Sequence, residues 1–81
     1  MNNVIEGKKI VGAKQALKAV KADTAKALYV AMDAEPRITK AVIEAATQHD
    51  VEIFYIETMH RLGTMCSIEV GAAIACVLKN S

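Results

Sequence analysis

The segment KALYVAMD, residues 26–33, is almost continuously apolar and rich in residues that favour extended backbone. Such a run reads as a strand and suggests burial on both of its faces. The 81 residues available amount to one small domain, which at this size hides only roughly 60% of the surface its unfolded chain exposes. A multi-domain enzyme with a separate substrate lobe is therefore excluded, and one domain over residues 1–81 is expected.

Helical patterns flank this strand. GAKQALKAVKAD sets Ala13, Leu17 and Val20 on one helical face and Lys14, Lys18 and Lys21 on another, each at i, i+4, i+7 spacing. Gly12 stands just before that helix, where a glycine commonly serves only as a turn but also lets a phosphate or RNA approach the first helix amides closely. After Asp33, Ala34 and Glu35, Pro36 suits the first position of a second helix reaching about His49, with Ile38, Val42 and Ala45 as its stripe and Ala41 and Ala46 beside them. VEIFYIE reads as another strand. Thr58 to Gly63 reads as a short helix with Thr58 as its cap and Gly63 at its end. GAAIACVLK fits strand or helix, because a short apolar run does not fix its period. The order predicts helices packed against a small mixed sheet.

Composition narrows the functional classes. Aromatics make up 4% of the chain, only Tyr29, Phe54 and Tyr55, so a surface of stacking rings has little to draw on. Net charge is +1, yet residues 7–26 carry Lys8, Lys9, Lys14, Lys18, Lys21 and Lys26 against Asp23, while residues 41–70 carry Arg61 against Glu44, Asp50, Glu52, Glu57 and Glu69. A nearly neutral chain can thus present a cationic face to a polyanion. The longest apolar run, Ala72 to Leu78, is far below the ~20 residues that span a bilayer. The opening MNNVIEGKKIVG lacks a basic stretch followed by an apolar one, so a cytoplasmic protein with no membrane partner and two reduced thiols is expected.

Cys66, Cys76, His49 and His60 show no zinc-ligand spacing. Cys66 has His60 and Arg61 nearby, but a packed thiol is the simpler reading. Asp33 and Glu35 flank Ala34 and in extended chain would share a side, which invites a general acid/base role, yet no nucleophile or oxyanion motif accompanies them. Neither GxxxxGK(S/T) nor GxGxxG occurs. A noncatalytic protein without cofactor or small-molecule substrate is expected.

GAKQALKAV, the junction AMDAEP and the stretch LGTMCSIEVGAA resemble, in order and spacing, the kink-turn-binding L7Ae and L30e family of ribosomal proteins, most closely its small bacterial members. The last stretch corresponds to the family pattern LGxACGIxVxAA. The resemblance implies an α/β/α three-layer sandwich that binds RNA bent at tandem sheared G·A pairs beside a bulge, ribosomal or regulatory, with no catalysis. It implies that Gly12, Lys14, Gln15 and Lys18 belong to the first RNA-contacting helix, that Glu35 and Ile38 border a pocket for an extruded nucleotide, and that Ile68, Glu69 and Val70 form the loop over the extruded bases. Lys14-Gln15 replaces the Asn-Glu of archaeal and eukaryotic members, Met65 and Ser67 stand where Ala and Gly are usual, and Met59 where others carry lysine. If the Ser67 position needs a positive φ, losing glycine there is unfavourable. Two other classes compete with a monomeric RNA binder: a protein-interaction adaptor on the same scaffold, and a small thiol or acid/base enzyme.

Overall fold

The ambiguous C-terminal segment is a strand, and it lies inside the sheet. The computed structural model describes residues 7–79, so the first six and last two residues of the expected domain fall outside it. In chain order the elements are β1 (Lys9–Val11), α1 (Ala13–Lys21), β2 (Ala25–Ala31), α2 (Pro36–Gln48), β3 (Glu52–Ile56), α3 (Met59–Met65) and β4 (Ile74–Leu78). The sheet order is β1-β4-β2-β3. β4 runs antiparallel to both β1 and β2, and β2 pairs parallel with β3 through the α2 crossover. The resulting α/β fold has α1 and α2 on one face of a mixed sheet and α3 on the other.

Residue alternation assigns the two cores. Leu28, Val30, Ile74 and Cys76 pack with Ala16, Val20, Val42 and Ala46 beneath α1 and α2. Ala27, Ala31, Ala75 and Val77 face the other way, toward Leu62 and Cys66. A register irregularity between Ala25 and Ala27, opposite Leu78 and Val77, shifts the phase. Ala25 and Leu28, three apart, can therefore share one face despite the period of two.

Several boundaries differ from the sequence reading for physical reasons. The buried face of α1 is Ala16, Ala19 and Val20, with Ala13 and Leu17 half-buried on its flank, because the helix packs against α2 as well as against the sheet. In α2 the buried residues are Thr39, Val42, Ala45 and Ala46, whereas Ile38 and Ala41 are exposed. Thr39 can occupy the core because its hydroxyl donates to the Pro36 carbonyl at 3.4 Å. β1 was missing from the expected order.

Thr58 caps α3 as expected, its hydroxyl accepting from the Arg61 amide at 3.0 Å. Gly63, by contrast, lies inside α3 and does not end it. It is buried, and a Cβ there would collide with the backbone carbonyl of Val70. Alanine normally gains ~1 kcal/mol over glycine inside a helix. We expect the opposite sign for Gly63→Ala, a loss of about 1–3 kcal/mol from forced displacement of the Val70 segment. Urea unfolding measures it, and a stabilised variant would disprove the close approach.

Candidate functional site

β1, β2 and β3 all point their carboxyl ends toward the edge of the sheet at which β4 begins. Four connections meet there: Gly12 entering α1, residues 32–35 entering α2, residues 57–58 entering α3, and residues 66–73 entering β4. Backbone hydrogen bonds sew them together, from Gly12 N to Ile74 O at 2.9 Å, from Ala31 N to Ala73 O at 2.9 Å and from Ala72 N to Met59 O at 3.0 Å. Asp33 adds a side-chain tie, its Oδ1 accepting from the Met59 amide at 2.8 Å. Sequence reasoning missed this role. Asp33 pins the first residue of α3, while Glu35 instead meets Arg37 Nε at 3.3 Å.

This edge gathers the residues singled out from sequence. Gly12 has φ 125°, a conformation that side-chain-bearing residues rarely adopt, and caps α1 without a side chain. The first amides of α1 have no partners within the helix and point toward the edge. Lys14 and Gln15 are exposed in that first turn. Lys18, also exposed, lies one turn further along, roughly 6 Å from Lys14 by helical rise. Glu35 is exposed at the start of α2, and Ile38 is 41% exposed in its first turn. Glu69 and Val70 project from the loop before β4, Val70 being 71% exposed. Ile68 is half-buried against the core around Leu62 and Cys66, so less of it is available at the surface.

Met32, 61% exposed where β2 ends, is an apolar member of this edge that sequence reasoning missed. In the sequence it lies inside the apolar run KALYVAMD and carries no separate signal. With Ile38, Met59 and Val70 it gives the edge exposed aliphatic and thioether groups beside the cationic turn of α1. Such groups can pack on flat apolar faces while lysine ammonium groups and helix amides meet anionic ones.

The loop itself is fixed by a Schellman-type end to α3. Ile68 N donates to Gly63 O and Ser67 N to Thr64 O, both at 3.0 Å, with Ser67 at φ 63°. The conditional cost of serine is therefore realised. Burial pushes both thiols above their ordinary range, with the Lys9 ammonium partly opposing this at Cys66. They sit in opposite cores, Cys66 with α3 and Cys76 with α1 and α2. Burial thus disfavours the thiolate that a nucleophilic role would need. Among the described residues, no group of three or more His, Cys, Asp or Glu is placed to hold a metal ion.

The sequence profile of the Ribosomal protein L7Ae/L30e/S12e/Gadd45 family matches residues 2–81. The chain belongs to this family. An RNA-binding protein of Caldanaerobacter subterraneus subsp. tengcongensis is 48% identical over 68 residues, covering 84% of this chain and 83% of that one. An RNA-binding protein of Bacillus pumilus is 42% identical over 69 residues, covering 85% and 84%. Among solved structures, the 15.5kD RNA binding protein of Giardia lamblia superposes with a TM-score of 0.82 at 29% identity, over 88% of this chain and 60% of that longer one.

The family pattern LGxACGIxVxAA now has a physical meaning in this chain. Leu62 and Cys66 anchor α3, Gly63 admits the Val70 carbonyl, residue 67 turns left-handed, and Ala72 is buried where the chain enters β4. Left-handed backbone costs a non-glycine residue ~1–2 kcal/mol, partly offset because glycine loses more entropy on folding. Ser67→Gly should accordingly raise stability by about 0.5–1 kcal/mol in chemical denaturation, and a loss of stability would show that the serine hydroxyl has a compensating role.

Proposed function

We propose that this chain is a noncatalytic, monomeric, cytoplasmic RNA-binding protein that recognises kink-turn RNA and stabilises its bent form, in a ribosomal or regulatory RNA. The observation that carries this reading is the convergence of the α1 start, the α2 start and the loop before β4 on one edge of the sheet. Relatives similar over most of the chain bear the name RNA-binding protein, which supports the polymer class.

Each group has a task that its chemistry suits. Lys14 and Lys18 neutralise phosphates from exposed positions one turn apart. Gln15 offers donor and acceptor together, suited to the edges of sheared G·A pairs, and Gly12 lets the sugar–phosphate backbone approach the helix amides. An ordinary A-form major groove is too narrow to admit these side chains, so reading there requires the deformation that a kink-turn supplies. Glu35 accepts from a base amino or imino group, exchanging its exposed contact with Arg37 for one to RNA. Ile38 and Val70, with Ile68 behind them, cover the faces of extruded bases, and Glu69 meets a base donor and not a phosphate. The bend arises by population shift, since the protein favours the kinked conformer by its differential affinity.

Binding to a minimal kink-turn duplex, beside a control whose two G·A pairs are replaced by Watson–Crick pairs, tests the proposal across a salt series. We expect tight binding to the kink-turn alone. Lys18→Ala should weaken it and make the log–log salt slope shallower by about one unit, the share of one phosphate contact. Equal, weak, salt-sensitive binding to both duplexes would refute shape recognition, and an unchanged slope would show that Lys18 touches no phosphate.

A further inference from the structure

Among the described residues, β3 is an outer strand of the sheet and pairs with β2 alone. Its five residues are all exposed or half-buried, whereas four of the five in β4 are buried. Phe54 is 39% exposed and Tyr55 54%, and they lie on opposite faces. Phe54, in register with Tyr29, stacks on that ring at 5.1 Å on the α3 side. Tyr55, in register with Val30, borders a cavity of about 350 Å³ on the α2 side, shared with Met32, Thr39 and Ile43. All three aromatic residues of the chain therefore lie on β2 and β3, Tyr29 and Phe54 on one face and Tyr55 on the other.

A strand edge of this kind offers a row of backbone donors and acceptors to any extended chain. Its charges select among candidates. From Asp50 to Glu57 there are three carboxylates, Asp50, Glu52 and Glu57, and no lysine or arginine. An RNA strand is repelled there. A second copy paired antiparallel about Phe54 would bring both sets of carboxylates to one seam with no cation between them, which like-charge repulsion opposes.

The two faces further define the occupant. Glu52 and Phe54 share the α3 side, where a cation would meet both a carboxylate and a ring face. Tyr55 and the cavity, an open groove, share the α2 side, where an aliphatic group would pack against apolar side chains. An added strand alternates its side chains between these sides. We propose that the free edge of β3 docks an extended segment of a partner protein in which lysine or arginine alternates with aliphatic residues. The segment adds as a fifth strand, with its cations over Glu52 and Phe54 and an aliphatic side chain in the cavity beside Tyr55.

The probe is a fluorescein-labelled peptide, Lys-Val-Lys-Val-Lys-Val-Lys, titrated into the full chain without RNA and followed by anisotropy and backbone amide NMR. Saturable binding with shifts concentrated on Glu52–Ile56 is expected. Replacing the peptide lysines by glutamate should weaken binding at least tenfold, as should the Glu52→Lys variant. N-methylating one alternating set of peptide amides should abolish binding and methylating the other set should spare it, a result that leaves the protein untouched and so does not depend on a variant folding. Equal affinity for both methylated peptides, shifts centred elsewhere, or no binding at millimolar peptide would overturn the proposal. Concentration-dependent self-association that shifts the same amides without peptide would overturn it in favour of a second copy. Because RNA is absent from every arm, these outcomes are separate from those of kink-turn recognition.

Discussion

Everything else in the structure depends on β4 lying between β1 and β2. Four consecutive residues, Ile74 to Val77, are buried, alternately feeding the core beneath α1 and α2 and the core beneath α3. This strand closes the antiparallel pair with β1 from the other end of the chain, so the first and last described elements hold each other in place. Both cores are incomplete without it. Pairings across such sequence distances cost loop entropy before contacts repay it, which is why the intervening helices must be well specified locally.

Local specification is strongest around α3. Its helix has seven residues, too short to be stable alone, and it is secured at one end by the Thr58 hydroxyl and the Asp33 carboxylate, and at the other by the hydrogen bonds around Ser67. Gly63 then brings the Val70 segment into backbone contact, and Gly71 lies so near Met59 that an added Cβ would be tight at 3.2 Å. Backbone proximity holds the loop before β4 in place. Glu69 and Val70 are thereby exposed on a scaffold whose position is set independently of any ligand.

Elements with a local chemical signal were legible in the sequence: Pro36 opening α2, Thr58 capping α3, and the apolar and β-branched runs of β2 and β3. Those defined by distant partners were not. β1 is three residues whose pairing partners begin more than sixty positions later, and β4 became distinguishable from helix only once β1 and β2 flanked it. Gly63 was misread because a glycine near a helix end normally signals termination, while here it relieves a collision with residues that spacing cannot place nearby. Thr39 was overlooked as core because its polarity hides a locally satisfied hydroxyl. For the candidate site, the family resemblance offered residues in separate segments, and their meeting on one edge is a property of strand direction that no single segment displays. Met32 follows the same rule, since its exposure depends on where β2 stops pairing.

Charge segregation gives this topology a functional consequence that the net charge of +1 conceals. The basic α1 packs against α2, β1, β4 and β2, whereas the carboxylates from Asp50 to Glu57 bracket β3 at the sheet's far edge. Screening decides how far these two groups act on one another. The Debye length at physiological ionic strength is ~8 Å, and exposed charges farther apart than that are largely screened. At ~0.01 M salt it grows to ~30 Å, which matches the longest dimension of the molecule, 30 Å. Under those conditions the lysines of α1 and the carboxylates around β3 act on any approaching polyanion together, and the small net charge of +1 describes the field better than either group does.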